Sequence, residues 1–220
     1  MSWLTPMMQD LLLEALGQTL VMVGVSTVLA IAFGLPLALL LHVTGPNGLT
    51  PRPWLNRPLG LVVNAARSTP FIILMVAIVP FTRLVAGTSI GTGAAIVPLA
   101  LAATAFLARL FENALREVDP GVGEAALAMG ASRGQIVVKV LVPEALPGLI
   151  AAVTVALVSL VGFSAMAGAI GGGGLGDLGI RFGYQRFMPE VMATVVVVLI
   201  VFVQALQSFG DWLARRLSRR

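Results

Sequence analysis

The sequence contains no cysteine, a single lysine and a single histidine. Without cysteine, the chain can form neither a disulfide nor a thiolate metal site. The lysine, Lys139, follows Val138 rather than a glycine, so the Gly-Lys pair with which a Walker A loop binds phosphate is missing. We therefore predict that the chain does not hydrolyse ATP through such a loop, and that any ATP chemistry comes from a partner protein.

Charged residues are also scarce. They make up 11% of the 220 residues, whereas an average soluble domain contains roughly 25%. Hydrophobic residues reach 58%, and the mean hydropathy is +0.97. Because a core of this size cannot hide so much apolar surface, we predict that the chain lies in lipid. The net charge of +4 is then better explained by membrane topology than by nucleic acid, which we do not expect as a partner.

Two motifs are typical of enzymatic sites, but each lacks a structural feature or residue that the activity requires. The glycines of residues 174–179 match the dinucleotide-binding pattern, yet no predicted strand precedes them, so they are better explained by a chain turn and close helix contacts. Ser164 would need a histidine base to act as a nucleophile, and His42 is predicted at the far end of another span. We therefore predict no catalytic residues, no cofactor and no metal site.

Five apolar segments are each long enough to cross a membrane as a helix. At a rise of 1.5 Å per residue, about 20 residues cross about 30 Å of hydrocarbon. The predicted spans cover residues 18–42, 60–82, 90–110, 146–169 and 191–212. The predicted fold is therefore all-α, with residues 1–220 forming one polytopic membrane domain. A two-fold dimer is expected, because five spans are few to enclose a pathway.

Arginine and lysine give the predicted orientation, because they are concentrated on the cytoplasmic side of membrane proteins. In a five-span arrangement, 11 of the 14 basic residues fall on one side of the membrane and three on the other. The larger group is Arg52, Arg57, Arg67, Arg109, Arg116, Arg133, Lys139, Arg215, Arg216, Arg219 and Arg220. We therefore predict that the N-terminus is outside and the C-terminus is cytoplasmic.

The segment between spans three and four interrupts the apolar pattern on the predicted cytoplasmic side. Asp119 can cap a short helix that begins at Pro120, and Gly130 can end it in a left-handed conformation. Ser132 and Gln135 have the spacing of a capping box that starts a second helix. Residues 119–143 are thus predicted to form an elbow of two short helices.

The second helix of this elbow is predicted to stop at Pro143, before span four. Apolar residues lie on the exposed elbow, and they are Ala125, Ala126, Leu127 and Met129. Such residues suit either a surface that docks on a partner or a helix that lies on the lipid. The residue pattern alone leaves both interpretations open.

The same segment resembles the EAA loop of ABC importer permeases. Glu124, Ala125 and Ala126 are followed by Gly130 and then by residues 140–143, at the spacing of that motif. Two valines replace its usual isoleucine and leucine and keep the apolar character. The resemblance implies a coupling helix that sits in a groove of an ATPase subunit. The implied contact residues are Glu124, Ala125, Ala126, Leu127, Met129 and Gly130.

Further segments resemble the permease subunits of bacterial methionine importers. They are residues 67–83, 87–91, 112–118 and 162–179. This resemblance implies an importer in the bacterial inner membrane with two permeases, two ATPases and an external methionine-binding protein. A permease for another amino acid or small metabolite is the main alternative. An ion-coupled secondary carrier is less favoured, because such carriers usually hold ionisable residues inside the membrane, and spans one, four and five have none in their central turns.

A candidate substrate path lies in span four. A path for methionine needs small polar contacts for its charged head and soft apolar surface for its thioether. Ser164 offers the first, Phe163 and Met166 offer the second, and Gly162 and Gly168 leave room. Ordinary packing between helices explains the same residues equally well.

Overall fold

The computed structural model describes residues 5–217, and all regular structure within them is helical. The predicted all-α class is confirmed. The helices are α1 (Pro6–Thr44), α2 (Pro53–Ser68), α3 (Phe71–Ala77), α4 (Val79–Ala86), α5 (Thr92–Arg116), α6 (Pro120–Ala128), α7 (Arg133–Ile136), α8 (Val142–Ala167), α9 (Gly174–Leu178) and α10 (Pro189–Leu217). Wider π-helical turns follow α7, α8 and α9 at Val137–Leu141, Gly168–Gly172 and Gly179–Tyr184.

Within the described part of the chain, four continuous helical segments are long and apolar enough to cross a membrane. They are Pro6–Thr44, Thr92–Arg116, Arg133–Gly172 and Pro189–Leu217. The fifth candidate is the pair formed by α2 and α3, whose axes differ by 106°.

The predicted span at residues 60–82 is therefore wrong as a single helix. Pro70 disfavours the helical conformation for the residue before it, and Thr69 is extended, with φ −83° and ψ 124°. A second interruption at Ile78 separates α3 from α4. Two breaks thus divide a segment whose apolar composition resembles one span.

The prediction that Pro143 stops the elbow's second helix is also wrong. Helix α7 runs through the π-helical turn at Val137–Leu141 into α8, which gives one segment of 40 residues, Arg133–Gly172. Pro143 lies in the first turn of α8. A proline inside a regular helix clashes with the carbonyl four residues earlier and lacks a donor. The wider turn just before it relieves both problems, so the helix continues.

The core lies where α1, α5 and α8 meet. Helix α1 packs along α5, while α5 and α10 both pack on α8. At Gly34 of α1, an added Cβ would lie 3.3 Å from the backbone oxygen of Thr104, so the glycine allows a close crossing with α5. The largest fully buried apolar side chains in this core include Met22, Leu99, Leu107, Phe111 and Leu160. Helix α10 is the least covered of the long helices, since only 11% of its apolar 18-residue stretch is buried inside the protomer.

Candidate functional site

Helix α6 begins as the sequence predicts. The side chain of Asp119 accepts a hydrogen bond of 2.8 Å from the backbone N–H of Gly121, and Pro120 occupies the first helical turn. Gly130 follows the helix with φ +83°, a left-handed conformation that favours glycine. The predicted cap and the predicted glycine turn are both confirmed.

Helix α7 begins with the predicted capping box. The backbone N–H of Ser132 donates to the Gln135 side chain at 2.8 Å, and the backbone N–H of Gln135 donates to the Ser132 hydroxyl at 3.4 Å. Each helix of this segment therefore carries its own local cap on either side of Gly130.

The predicted coupling residues divide into two groups in the structure. Ala126 is buried against the core, with 5% of its surface exposed. The other five are exposed, and Met129 reaches 83%. Of these, Glu124 and Leu127 also line a cavity beneath α6. The structure thus leaves most of this helix available to a partner.

That cavity has a volume of about 620 Å³ and lies between the α1–α2 loop, the end of α5 and α6. Its titratable and charged lining residues are His42, Arg116, Asp119 and Glu124. Arg116 is paired with Glu112, and Asp119 caps α6. The apolar part of the wall comes mainly from Leu49, Leu115, Val118, Leu127, Ile136 and Leu141. The cavity therefore lies beside α6, which remains anchored on the body of the protomer through Ala126.

A buried ion-paired cluster lies at the end of α5, just before α6. Glu112 is 1% exposed and accepts hydrogen bonds of 2.5 Å from both Arg109 and Arg116. Arg109 also donates to the backbone oxygen of Gly60 and to the side chain of Asn64, both at 3.1 Å. These contacts fix α2 against α5. This cluster was not predicted, although basic residues three before and four after a glutamate are a recognisable helical signal.

The predicted substrate-path residues do not share one face of α8. The Phe163 ring stacks on Phe71 of α3, with 4.8 Å between the ring centroids. Ser164 is 2% exposed, and its hydroxyl donates to the backbone oxygen of Val161 at 2.8 Å. Met166 is 47% exposed. The structure thus places Ser164 inside the protomer and Met166 on its surface.

After α8, the glycine-rich segment breaks the helix as predicted. Ile170 and Gly171 leave the helical conformation, and Gly171, Gly173 and Gly174 all have positive φ. An added Cβ at Gly168 would lie 2.5 Å from the backbone nitrogen of Asp177, so the chain returns very close to α8. The predicted turn with close backbone contact is confirmed.

Two side chains of α1 hold this break in place. The backbone N–H of Gly174 donates to the Gln18 side chain at 2.7 Å, and that of Leu175 donates to the Thr19 hydroxyl at 2.9 Å. Gln18 and Thr19 thus cap α9, although each lies 156 residues earlier in the sequence than its partner. The sequence offers no local signal for this contact, and it was not predicted. Among residues 5–217, no group of three histidine or acidic side chains is arranged to hold a metal ion.

Comparison with known proteins gives a consistent result. Residues 30–220 match the family described as binding-protein-dependent transport system inner membrane component. The probable D-methionine transport system permease protein MetI of Vibrio cholerae is 55% identical over 211 residues, which cover 96% of this chain and 94% of that protein. The D-methionine transport system permease protein MetI of Escherichia coli K12 is 52% identical over 163 residues, which cover 74% of this chain and 75% of that protein.

Solved structures show the same relationship. A chain of the MetNI methionine ABC transporter in inward-facing conformations superposes with a TM-score of 0.96 at 48% identity, over 98% of this chain and all of that one. An amino acid ABC transporter crystallised with histidines superposes with a TM-score of 0.78 at 19% identity, over 94% of each chain. The second match shows a shared fold only.

Proposed function

This chain belongs to the family of binding-protein-dependent transport system inner membrane components, and on that premise we propose that it carries methionine into the cell as the permease subunit of an ATP-driven importer. The observation that carries the proposal is the near-complete structural match to the permease of a methionine ABC transporter at 48% identity. Identity of this order to methionine permeases along most of the chain favours methionine over another amino acid. The proposed cargo range includes both stereoisomers and close derivatives.

The proposed complex supplies from partners what this chain lacks. Two copies of the chain would enclose the path, two ATPase subunits would bind on the cytoplasmic side, and a methionine-binding protein would deliver substrate from outside. The chain has no Walker A lysine, so ATP hydrolysis is assigned to the ATPase subunits. In this assembly the permease forms no covalent intermediate with its cargo.

Helix α6 is the proposed contact with the ATPase. Its support is structural: α6 is capped locally at Asp119, and Ala126 is its one buried residue. Met129 and Leu127 expose 83% and 56% of their surfaces, which suits an apolar groove on a partner. We assign the contact to Glu124, Ala125, Leu127, Met129 and the turn at Gly130, with Ala126 as the anchor of α6 on the permease.

The continuous helix Arg133–Gly172 suggests how movement reaches the path. ATP binding would close the ATPase pair and displace α6 together with α7. Because α7 continues into α8, displacement at Arg133 would tilt a helix of 40 residues that carries Phe163 and Met166. The path would then open to the other side as a rigid-body change.

The proposed orientation places the elbow and the C-terminus in the cytoplasm and the N-terminus outside. It follows from the distribution of basic residues and agrees with α6 as an ATPase contact. The residues from 1 to 4 and from 218 to 220, which include Arg219 and Arg220, lie outside the described residues. We propose that residues 1–220 act as one transmembrane domain in contact with lipid.

Transport by a reconstituted complex tests the substrate. The complete assembly in proteoliposomes should take up radiolabelled methionine only with ATP and the binding protein. Vanadate should stop uptake and a protonophore should not, whereas the reverse result would favour a secondary carrier. If unlabelled leucine or histidine competed as well as methionine, the methionine assignment would be wrong and an ABC permease of different specificity would remain.

Single cysteines test the orientation, because the chain contains none of its own. In spheroplasts, an impermeant maleimide should label Ser2→Cys and should not label Ser132→Cys or Ser218→Cys. Labelling of Ser132→Cys from outside would contradict both the orientation and the ATPase contact.

The coupling assignment is tested by Glu124→Lys, which reverses a charge on α6. Co-purification of the ATPase with the permease should fall, and methionine uptake should fall with it. Glu190→Lys, an exposed charge reversal at the start of α10, is the matched control and should retain the ATPase. Normal uptake and normal co-purification by Glu124→Lys would contradict the role of α6.

A further inference from the structure

One face of α8 stays uncovered within the protomer. Ala151, Val155, Gly162 and Met166 are exposed, and Ser159 is half-buried beside them. The successive spacings of four, four, three and four residues place all five on one side of a helix. The remaining sides of α8 pack on α5, α10 and α1. We call this face the α8 stripe.

Ser159 lies in the middle of the α8 stripe, and Ser164 does not. At 3.6 residues per turn, Ser159 is on the same side as Val155, Gly162 and Met166, whereas Ser164 lies about 140° away from it around the helix. Their surroundings agree with this geometry. Ser164 is 2% exposed, whereas Ser159 is half-buried and the hydrogen bond of its hydroxyl lies at the surface.

The hydroxyl of Ser159 can still accept hydrogen bonds. It donates to the backbone oxygen of Val155 at 2.9 Å, which uses its single proton. A hydroxyl oxygen has two further acceptor lone pairs. An ammonium group needs such acceptors and brings three donors of its own. The stripe therefore offers an acceptor without the charge of a carboxylate, which would hold a cation too tightly for transport.

The exposed surface of α10 provides an internal comparison. Between Val196 and Val201 of that helix, the exposed side chains are Val196, Val197, Ile200 and Val201. All four are aliphatic, as expected for a surface that faces lipid. The α8 stripe instead has a hydroxyl at Ser159 and an open position at Gly162, where an added Cβ would meet nothing within 4 Å. The α8 stripe thus differs from the aliphatic stretch of α10, whose exposed polar side chains Gln204 and Ser208 lie beyond that stretch.

The aromatic pair lies beside the same stripe. Phe163 is one turn from Ser159 and stacks on Phe71, the first residue of α3. Apolar rings and the Met166 thioether thus lie within two turns of an acceptor. An α-amino acid with an apolar side chain needs this combination.

We infer that Ser159, rather than Ser164, is the polar contact of the translocation path, and that its hydroxyl accepts a hydrogen bond from the ammonium group of the amino acid that passes along the α8 stripe. This inference rests on the proposed function, because it takes the α8 stripe to face the path between two copies of the chain. Met166 and Gly162 would then lie on the path, while Ser164 packs inside the protomer.

Thiol labelling tests the accessibility of these positions. Ser159→Cys, Ser164→Cys and Val197→Cys would each be made in the cysteine-free chain and assembled with the ATPase subunits in proteoliposomes. A charged methanethiosulfonate reagent needs a hydrated thiolate, so Ser159→Cys should react on the order of tenfold faster than the other two. Methionine with the binding protein and ATP should slow that reaction. Fast reaction of Ser164→Cys with slow reaction of Ser159→Cys would overturn the inference, as would equally slow reaction of all three.

Transport kinetics test the contact itself. At saturating methionine and binding protein, Ser159→Ala should lower the rate of methionine uptake about tenfold, as expected for the loss of one hydrogen bond to a charged group during passage, and Ser159→Thr should restore it. An unchanged uptake rate in Ser159→Ala would overturn the contact role. Methionine uptake by the complex without substitutions tests the proposed cargo separately from the role of Ser159. If that complex fails to transport methionine, the proposed cargo is wrong. The labelling pattern would still report which serine faces water.

Discussion

The turn at Gly130 and the break at residues 168–174 both interrupt the helical bundle, but different contacts hold them. At the turn, Asp119 caps α6 and Ser132 caps α7, and each cap closes within three residues of sequence. An added Cβ at Gly130 would meet nothing within 4 Å. The turn is therefore defined by local hydrogen bonds and by the backbone conformation of one glycine.

At the break, the stabilising contacts come from elsewhere in the chain. Gln18 and Thr19 of α1 accept hydrogen bonds from the backbone of the chain entering α9. An added Cβ at Gly168 would overlap the returning chain. This difference matches the proposed role of α6, because a turn that moves against a partner should depend little on its neighbours.

The largest expected effect comes from Glu112, the long-range anchor that lies just before the turn. Glu112→Leu would remove the carboxylate shared by Arg109, whose side chain is 18% exposed, and Arg116, whose side chain is 59% exposed, so we expect a loss of about 3 kcal/mol of stability. Thermal unfolding of the purified protein in detergent measures this. Glu117→Leu, at an exposed position nearby, is the control. Equal midpoints for the two variants would mean that the cluster adds little stability.

Gly168→Ala should be the next most severe change. The new methyl group would lie 2.5 Å from the backbone nitrogen of Asp177 and 2.7 Å from the backbone oxygen of Gly173. Overpacking against backbone atoms should cost about 2–3 kcal/mol. Gly24→Ala is matched in chemistry, since that helical glycine meets nothing within 4 Å. If Gly168→Ala and Gly24→Ala had the same unfolding midpoint, the close backbone approach at the break would not be required for stability.

Thr19→Val isolates one of the contacts from α1 to the break. It removes the acceptor of the Leu175 backbone N–H at a buried site, which should cost about 1–2 kcal/mol. Thr27→Val is the control on the same helix, because that buried hydroxyl donates only to its own helix at Val23. Amide hydrogen exchange should speed up at Leu175 in the first variant alone. Unchanged exchange there would show that the break does not depend on this contact.

The smallest expected effect is at the turn. Gly130→Ala places a Cβ on a residue with φ +83° and should cost about 1 kcal/mol. Gly134→Ala, in α7, should be neutral or stabilising, because it also has free space and its conformation is helical. Thermal unfolding compares the two. A lower unfolding midpoint for Gly130→Ala, with an equal or higher midpoint for Gly134→Ala, would support a turn defined by backbone conformation. A similar decrease in both midpoints would contradict it.

The sequence was most informative where structure depends on neighbouring residues. The caps at Asp119 and Ser132 and the glycine turn follow from spacings of a few residues, and all were predicted correctly. Pro70 and Pro143 show the limit of this reasoning. Both are prolines in apolar segments, yet Pro70 follows a sharp bend, whereas the helix continues through Pro143. The difference at Pro143 comes from a π-helical turn, which no residue pattern had indicated.

By itself, the sequence determined the all-α class, four of the five long apolar helices, and the caps and glycine turn of the elbow, because composition and short-range hydrogen bonds decide these. Only the tertiary structure decided which serine of α8 is buried, which side chains cap α9, and that Glu112 joins two arginines to hold α2. Each of these depends on the rotation of one helix relative to another. That rotation is set by packing among residues far apart in sequence, so Ser159 and Ser164 are told apart only after α5 and α10 have covered the other sides of α8.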